Sequence, residues 1–302
     1  MFETTIAAAL SLMMGASIVS QTTKTFEDIV PTGAAMEQLA TGFTFTEGPA
    51  WSAAGEIYFS DIPNDVIVRV DDSGEATDFL RPSEQSNGTM FDADGTLVAC
   101  RHKARNVARI APDGTVTIIA DQYDDKPLNS PNDCIIAADG AIYFTDPHYG
   151  LAGRPMEQDG EHVYRLATDG ALARVVDDMT RPNGLFISPD GDTLYVADSE
   201  ERKIRAYTLQ DDGSATDGRD FCDMASDEPG VPDGMTLDAE GNVYCTGGGG
   251  VWVIAPDGTH LGTIRVPEVP ANCTFGGPDN DVLYITARSS IYRIGLGAKG
   301  LR

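Results

Sequence analysis

The chain has 302 residues, 41% of them hydrophobic and 23% charged, with 32 glycines, a balance that supports a packed core with many turns and argues against a disordered chain. Its 47 acidic and 21 basic residues give a formal net charge of -26, which argues against a nucleic-acid partner, since phosphate contacts need clustered Lys and Arg. Such a surface favours solubility and attracts cations.

In chain order, the first feature is an apolar, small-residue stretch from Ile6 to Val19. It is too short to span a bilayer and has the length of a signal-peptide core. Glu3 precedes it and no Lys or Arg does, so two readings stay open: a periplasmic or secreted protein with a cleaved leader, or a cytoplasmic one with an N-terminal extension over residues 1–35. No membrane span is expected. Next comes "AMEQLATGF", Ala35 to Phe43, a strand-like segment whose partner lies at the other end of the chain.

Six similar segments follow: "EGPAWSAAGEIYFSD" from Glu47, "NGTMFDADGTLVACR" from Asn87, "NDCIIAADGAIYFTD" from Asn132, "NGLFISPDGDTLYVAD" from Asn183, "DGMTLDAEGNVYCTG" from Asp233 and "NCTFGGPDNDVLYIT" from Asn272. Their starts lie 40, 45, 51, 50 and 39 residues apart. A repeat of that length with several short strands per unit indicates a β-propeller. Seven residues into each unit stands a hairpin signal, such as Asp94-Gly95 or Glu240-Gly241, between a first and a second strand. Third and fourth strands read in most units, for example "NVARIA" then "VTIIAD". The sixth unit ends after its third strand, "SIYRIGL". The expected fold is therefore all-β, a six-bladed β-propeller over residues 36–302 closed by the N-terminal strand, which removes an exposed edge.

First strands of propeller blades line the central axis. The residues that open them, Glu47, Asn87, Asn132, Asn183, Asp233 and Asn272, are expected to gather at one mouth. Turn chemistry accounts for any single one, since Asn-Gly and Asp-Gly are common turn formers. The turn role is already filled seven residues later, and Glu-Gly-Pro is not a favoured turn. Two carboxylates and four carboxamides, with no His or Cys, form an oxygen set suited to a hard divalent cation, and a water-filled polar channel is the alternative. Calcium is favoured because it accepts about 6 to 8 oxygens in loose geometry, ahead of Mg2+, Mn2+ or Zn2+. The five scattered cysteines show no C-x-x-C spacing and read as small buried hydrophobes.

The run "RHKARNVARIAPDGTVTIIADQYDDKPLNSPNDCIIAADGAIYFTDPHYGL", together with "FTEGPAW", "RPNGLFISPDG", "PDGMTLD" and "GGGGVWV", resembles the gluconolactonase and regucalcin (senescence marker protein) family. The resemblance covers Met36 to Ile294. It implies a six-bladed propeller with one catalytic divalent cation, usually calcium, held by Glu47 of EGP, Asn132 of SPND, Asn183 of RPNG and Asp233 of PDG. In some members the SPND Asn touches substrate and an Arg lies two residues before it; here that position is Ser130.

The expected activity is metal-dependent opening of sugar lactones, with Asp233 as general base and a small-molecule lactone as partner. Non-sugar lactones or phosphotriesters are substrate variants, and a non-catalytic calcium- or partner-binding propeller is the reading from another class. Candidate substrate contacts are Asn87, Arg101, His102, Asn132 and His148, with Asp146, Asp198 and Arg288 also on loops that follow second strands. The loop from His148 to Gly160 has the length of a lid. "GLGAKG" near the C-terminus leaves no room for the helix that a dinucleotide fingerprint needs. No G-x-S-x-G or H-E-x-x-H is present, which argues against serine-hydrolase and zinc-protease chemistry.

Overall fold

Each repeat unit opens with a short apolar run, reverses at a residue in the left-handed region and returns, and that local chemistry builds one antiparallel sheet. At the reversals, Gly55, Gly95, Gly140, Gly191, Gly241 and Asn280 hold φ between 57° and 88°, which Gly and Asn tolerate better than other residues. A computed structural model describes residues 24–301. It contains six four-stranded sheets in the order of the six sequence units.

Blade one runs through Thr46–Trp51, Ile57–Asp61, Val66–Val70 and Ala76–Leu80. Blade two comprises Ser86–Phe91, Leu97–Arg101, Asn106–Ile110 and Val116–Ala120. Blade three is Cys134–Ile136, Ile142–Asp146, His162–Leu166 and Leu172–Val176. Blade four is Pro182–Ile187, Thr193–Asp198, Lys203–Leu209 and Ala215–Asp223. Blade five is Met235–Leu237, Val243–Gly247, Gly250–Ile254 and His260–Ile264. Blade six takes Pro270–Gly276, Val282–Ala287 and Ser290–Gly295 from the C-terminal end. Its fourth strand is Glu37–Thr41, antiparallel to the third, with Glu37 opposite Arg293 and Thr41 opposite Ser290. The closure expected from the sequence is thus the observed one.

Apolar residues pack between neighbouring blades as six clusters, one at each blade-to-blade interface. Burial on both faces explains why second strands such as Ile57-Tyr58-Phe59 lack polar alternation. All five cysteines are unpaired and buried.

A short helix, Phe26–Ile29, is capped by Thr25, which exchanges hydrogen bonds with Asp28 in a capping box. Ile29 is fully buried in the cluster between blades five and six, and Phe26 packs against it. Packing on the ring therefore begins about ten residues ahead of the boundary drawn at Met36. The apolar stretch Ile6 to Val19 lies outside the described residues. Among those described, no helix is long and apolar enough to cross a membrane.

The ends of the second strands hold the mouth in shape. Asp61 accepts from the backbone N–H groups of Thr44 and Phe45, and Asp146 from those of Asn129 and Ser130, at 2.7 and 2.8 Å. Asp198 accepts from Thr180, Arg181, Glu200 and Glu201. Each carboxylate thereby ties the segment that enters the first strand of its own blade. Arg101 occupies the same position in blade two and donates from Nε to the Ser83 carbonyl at 3.1 Å. Three candidates for chemistry, Arg101, Asp146 and Asp198, are thus loop clamps. Asp198→Ala would strand four N–H donors, and a loss of about 2–4 kcal/mol is expected in urea denaturation. An unchanged midpoint would mean that water already serves those donors.

Candidate functional site

The site begins with the glycine that follows most leading residues. A Cβ on Gly48 would lie 2.0 Å from the Asn87 carbonyl oxygen, and one on Gly234 would lie 1.9 Å from Asn272 Cγ. Inner strands of neighbouring blades touch there. Gly88 N donates to Asn132 O at 2.7 Å, Gly184 N to Asp233 O at 3.2 Å and Gly234 N to Ala271 O at 2.8 Å. Glycine after the leading residue therefore serves close approach around the axis rather than a turn. Each leading side chain is aimed by this inner seam.

Glu47 is 4% exposed, and Asn87, Asn132, Asn183 and Asn272 are equally buried, while Asp233 keeps part of its surface open. Three carboxamides form a one-way relay. Asn87 Nδ2 donates to Asn132 Oδ1 at 2.7 Å, Asn132 Nδ2 to Asn183 Oδ1 at 2.6 Å, and Asn183 Nδ2 to Ser199 Oγ at 2.9 Å. Ser199 Oγ in turn donates to the Pro232 carbonyl at 2.6 Å. The relay fixes the amide planes of blades two, three and four next to Asp233 of blade five.

Blade three breaks the glycine pattern with Asp133, whose carboxylate accepts from Asn272 Nδ2 at 3.0 Å and from Cys134 N at 2.9 Å. The pattern break was visible in the sequence, but its consequence was not: a third buried carboxylate whose charge acts on Glu47 and Asp233. Burial, then the charge of Asp133, pushes Glu47 up to about 8. Burial alone lifts Asp133 to about 7 against the pull of Asn272 and the Cys134 N–H. Asp233 is raised by burial first, then by Glu47 and Asp133, with Asn183 opposing. Like charges forced together out of water protonate unless a positive charge joins them.

Among the described residues, no three His, Cys, Asp or Glu side chains converge as a metal group. The donors of the proposed set are the oxygens of two carboxylates, Glu47 and Asp233, and of two carboxamides, Asn132 and Asn183, each of which also accepts one relay hydrogen bond. That hard-oxygen set, together with the mutual repulsion of the acids, fits an oxygen-loving divalent cation.

His102 meets the ring directly, with Nε2 3.2 Å from both Asn87 Nδ2 and Asn132 Oδ1. Burial lowers its pKa to about 4, so the imidazole is neutral at ordinary pH and acts as an orienting group for the amides rather than a cationic proton donor. His148 is held by Glu161, with Nδ1 2.5 Å from Oε1 and the backbone N–H donating to Oε2 at 3.2 Å. Arg288 is exposed and lines a cavity of about 610 Å³ with Arg202, Asp233, Phe45, Glu228 and Pro270. A second cavity of about 750 Å³ occupies the opposite part of the channel, with Asp133 beside Trp51, Phe91, Phe186 and Phe275.

The loop after Asp146 is pinned. Ser130 Oγ donates to Pro147 O at 2.8 Å and accepts from Gly150 N at 2.9 Å. Arg154 donates from Nη2 to His102 O and Gly150 O, and from Nη1 to Lys103 O. Tyr149 and Ser199, which no sequence pattern singled out, lie on loops near the leading residues: Ser199 bonds Asn183, and Tyr149 lies in the field of Asp233.

Comparison with known proteins follows the same lines. The family model described as SMP-30/Gluconolactonase/LRE-like region matches residues 45–289. A gluconolactonase of Zymomonas mobilis is 32% identical over 95% of this chain and 89% of its own. Pentonolactonase XacC of Haloferax volcanii is 31% identical over 80% of each chain. The solved structure of a gluconolactonase from Xanthomonas campestris superposes with a TM-score of 0.82 at 36% identity, over 87% of this chain and 90% of that one. A ring of oxygen donors on a six-bladed scaffold, matched by a family model over residues 45–289, identifies the chain as a member of the SMP-30/gluconolactonase/LRE-like family.

Proposed function

We propose that this protein hydrolyses sugar lactones at the mouth formed by Glu47, Asn132, Asn183 and Asp233, with one divalent cation, calcium, held by those four side chains. The observation that carries the reading is a buried set of leading amides and carboxylates in which the charge of Glu47 acts on Asp233, with Asp233 lining a cavity that also holds Arg202 and Arg288. Lactonase relatives at 31–32% identity over most of the chain support the reaction class. A calcium ion bound there would act as a Lewis acid on the lactone carbonyl and keep Glu47 and Asp233 ionised.

The chain's own groups supply the rest. Asp233, the less buried of the two leading carboxylates, takes a proton from water as the water oxygen bonds to the carbonyl carbon. The ring C–O bond then breaks, the proton taken up by Asp233 passes to the departing oxygen, and the product is the open hydroxy acid. Arg202 and Arg288 offer donors to lactone oxygens, while the amide relay and neutral His102 hold the ring rigid.

A panel of aldonolactones, simple lactones and a phosphotriester, assayed with metal-stripped and calcium-loaded protein, tests the proposal. Turnover of sugar lactones that vanishes with chelator and returns with calcium is expected. Calcium affinity without hydrolysis of any panel member would replace the enzyme reading with a binding propeller.

A further inference from the structure

We infer that Tyr149 orients the substrate over the ring and selects lactones that carry hydroxyl groups, an inference that rests on the lactone-hydrolase reading and names the residue that sets its substrate class.

Tyr149 begins a short 3-10 turn, Tyr149–Leu151, on the pinned loop of blade three. It is 42% exposed and belongs to none of the six apolar clusters that hold the blades together, so core packing does not explain an aromatic ring there. The loop cannot swing freely. Gly150 sits so close to His102 that a Cβ would lie 2.3 Å from the histidine Cβ, and Ser130 and Arg154 tie the backbone on either side. The small Ser130 hydroxyl holds the loop at Pro147 and Gly150.

The ring itself is propped. The Arg181 guanidinium lies over it, 5.5 Å from the centroid, and is held by Glu200 at 3.0 Å. That leaves the remaining exposed ring surface for a ligand. The hydroxyl stands near Ser199 and in the field of Asp233. A phenol both donates and accepts, so its oxygen can take a hydrogen bond from a ligand hydroxyl. An acceptor beside Asp233, on a rigid aromatic body, suits a hydroxyl of a polyhydroxylated ring whose C–H face lies on the tyrosine. A lactone without hydroxyls gains only the second contact.

The test compares Tyr149→Phe and Tyr149→Ala on glucono-1,5-lactone and δ-valerolactone, two lactones of the same ring size. The ratio of kcat/KM values, sugar over plain lactone, is expected to fall about 5- to 10-fold in Tyr149→Phe, from loss of one hydrogen bond, through KM rather than kcat. In Tyr149→Ala the fall is larger. Calorimetric binding of D-gluconate to the calcium-loaded protein should weaken in the same order. An unchanged ratio with unchanged gluconate binding overturns the inference, as does an equal loss on both lactones, which would mark Tyr149 as a loop-building residue. If the wild type turns over no lactone yet binds gluconate in a Tyr149-dependent way, the hydrolase reading fails while the selection of polyhydroxylated ligands stands.

Discussion

Asp233→Asn is expected to lower kcat for lactone hydrolysis by about 10²–10⁴-fold, with the fold intact and calcium still bound at raised concentration. Asparagine matches aspartate in size, and Asp233 makes its backbone contacts through N–H and C=O groups, which donate to or accept from Thr246 and Gly184. The substitution therefore spares the inner seam. It also keeps one oxygen that can face a cation, so loss of a ligand and loss of a base separate in the measurement. A ligand defect is cured by saturating calcium; a missing proton acceptor is not. Glu47→Gln provides the contrast. Glu47 is buried deeper than Asp233 and is proposed only as a ligand, so its variant should need more calcium and then recover most of its turnover. If Asp233→Asn recovers to within tenfold of wild type at saturating calcium, Asp233 is a ligand only, and the base lies elsewhere at the mouth.

The parts of this site that repeat were legible in the sequence, and those that do not repeat were largely hidden. Six leading residues could be aligned because each precedes an apolar run and a hairpin glycine, and a propeller brings equal positions to one axis. The closure by Glu37–Thr41 followed from a missing strand. Beyond the end of a strand the alternation that tells inward from outward is lost. Arg101 and Asp198 therefore looked like mouth residues, although they turn back to clamp backbone. Asp133 stood in plain view beside Asn132, but whether a residue after the leading one points at the axis depends on how closely neighbouring inner strands approach. Only the glycine contacts reveal that distance. Tyr149 is a case of a different kind, because its position comes from three anchors, Ser130, Arg154 and His102, scattered over blades two and three.

Without a cation, stability should fall as pH rises from about 5 to 8, and calcium should offset the fall most strongly at the alkaline end. The sign follows from proton counting. Glu47 titrates near its usual 4.5 when unfolded and at about 8 when folded. Below the first value both states hold the proton; between the two the folded state alone holds it. Stability then declines with pH, at about 1.4 kcal/mol per pH unit for one proton, until the folded pKa is passed. Asp133, raised to about 7, and Asp233, raised likewise, act in the same direction. Asp146, also raised to about 7 by burial, adds a slope of its own, but it clamps a loop away from the ring and is the same with and without calcium. The difference between melting temperatures measured with calcium and with chelator therefore isolates the ring. That difference should widen from pH 5 to pH 8, and calorimetry in buffers of unlike ionisation enthalpy should register protons released as calcium binds at pH 7. A difference that stays constant across this range, with no proton release, would mean that Glu47 and its neighbours are already ionised in the empty ring. The charge deficit that makes the ring a cation site would then be absent.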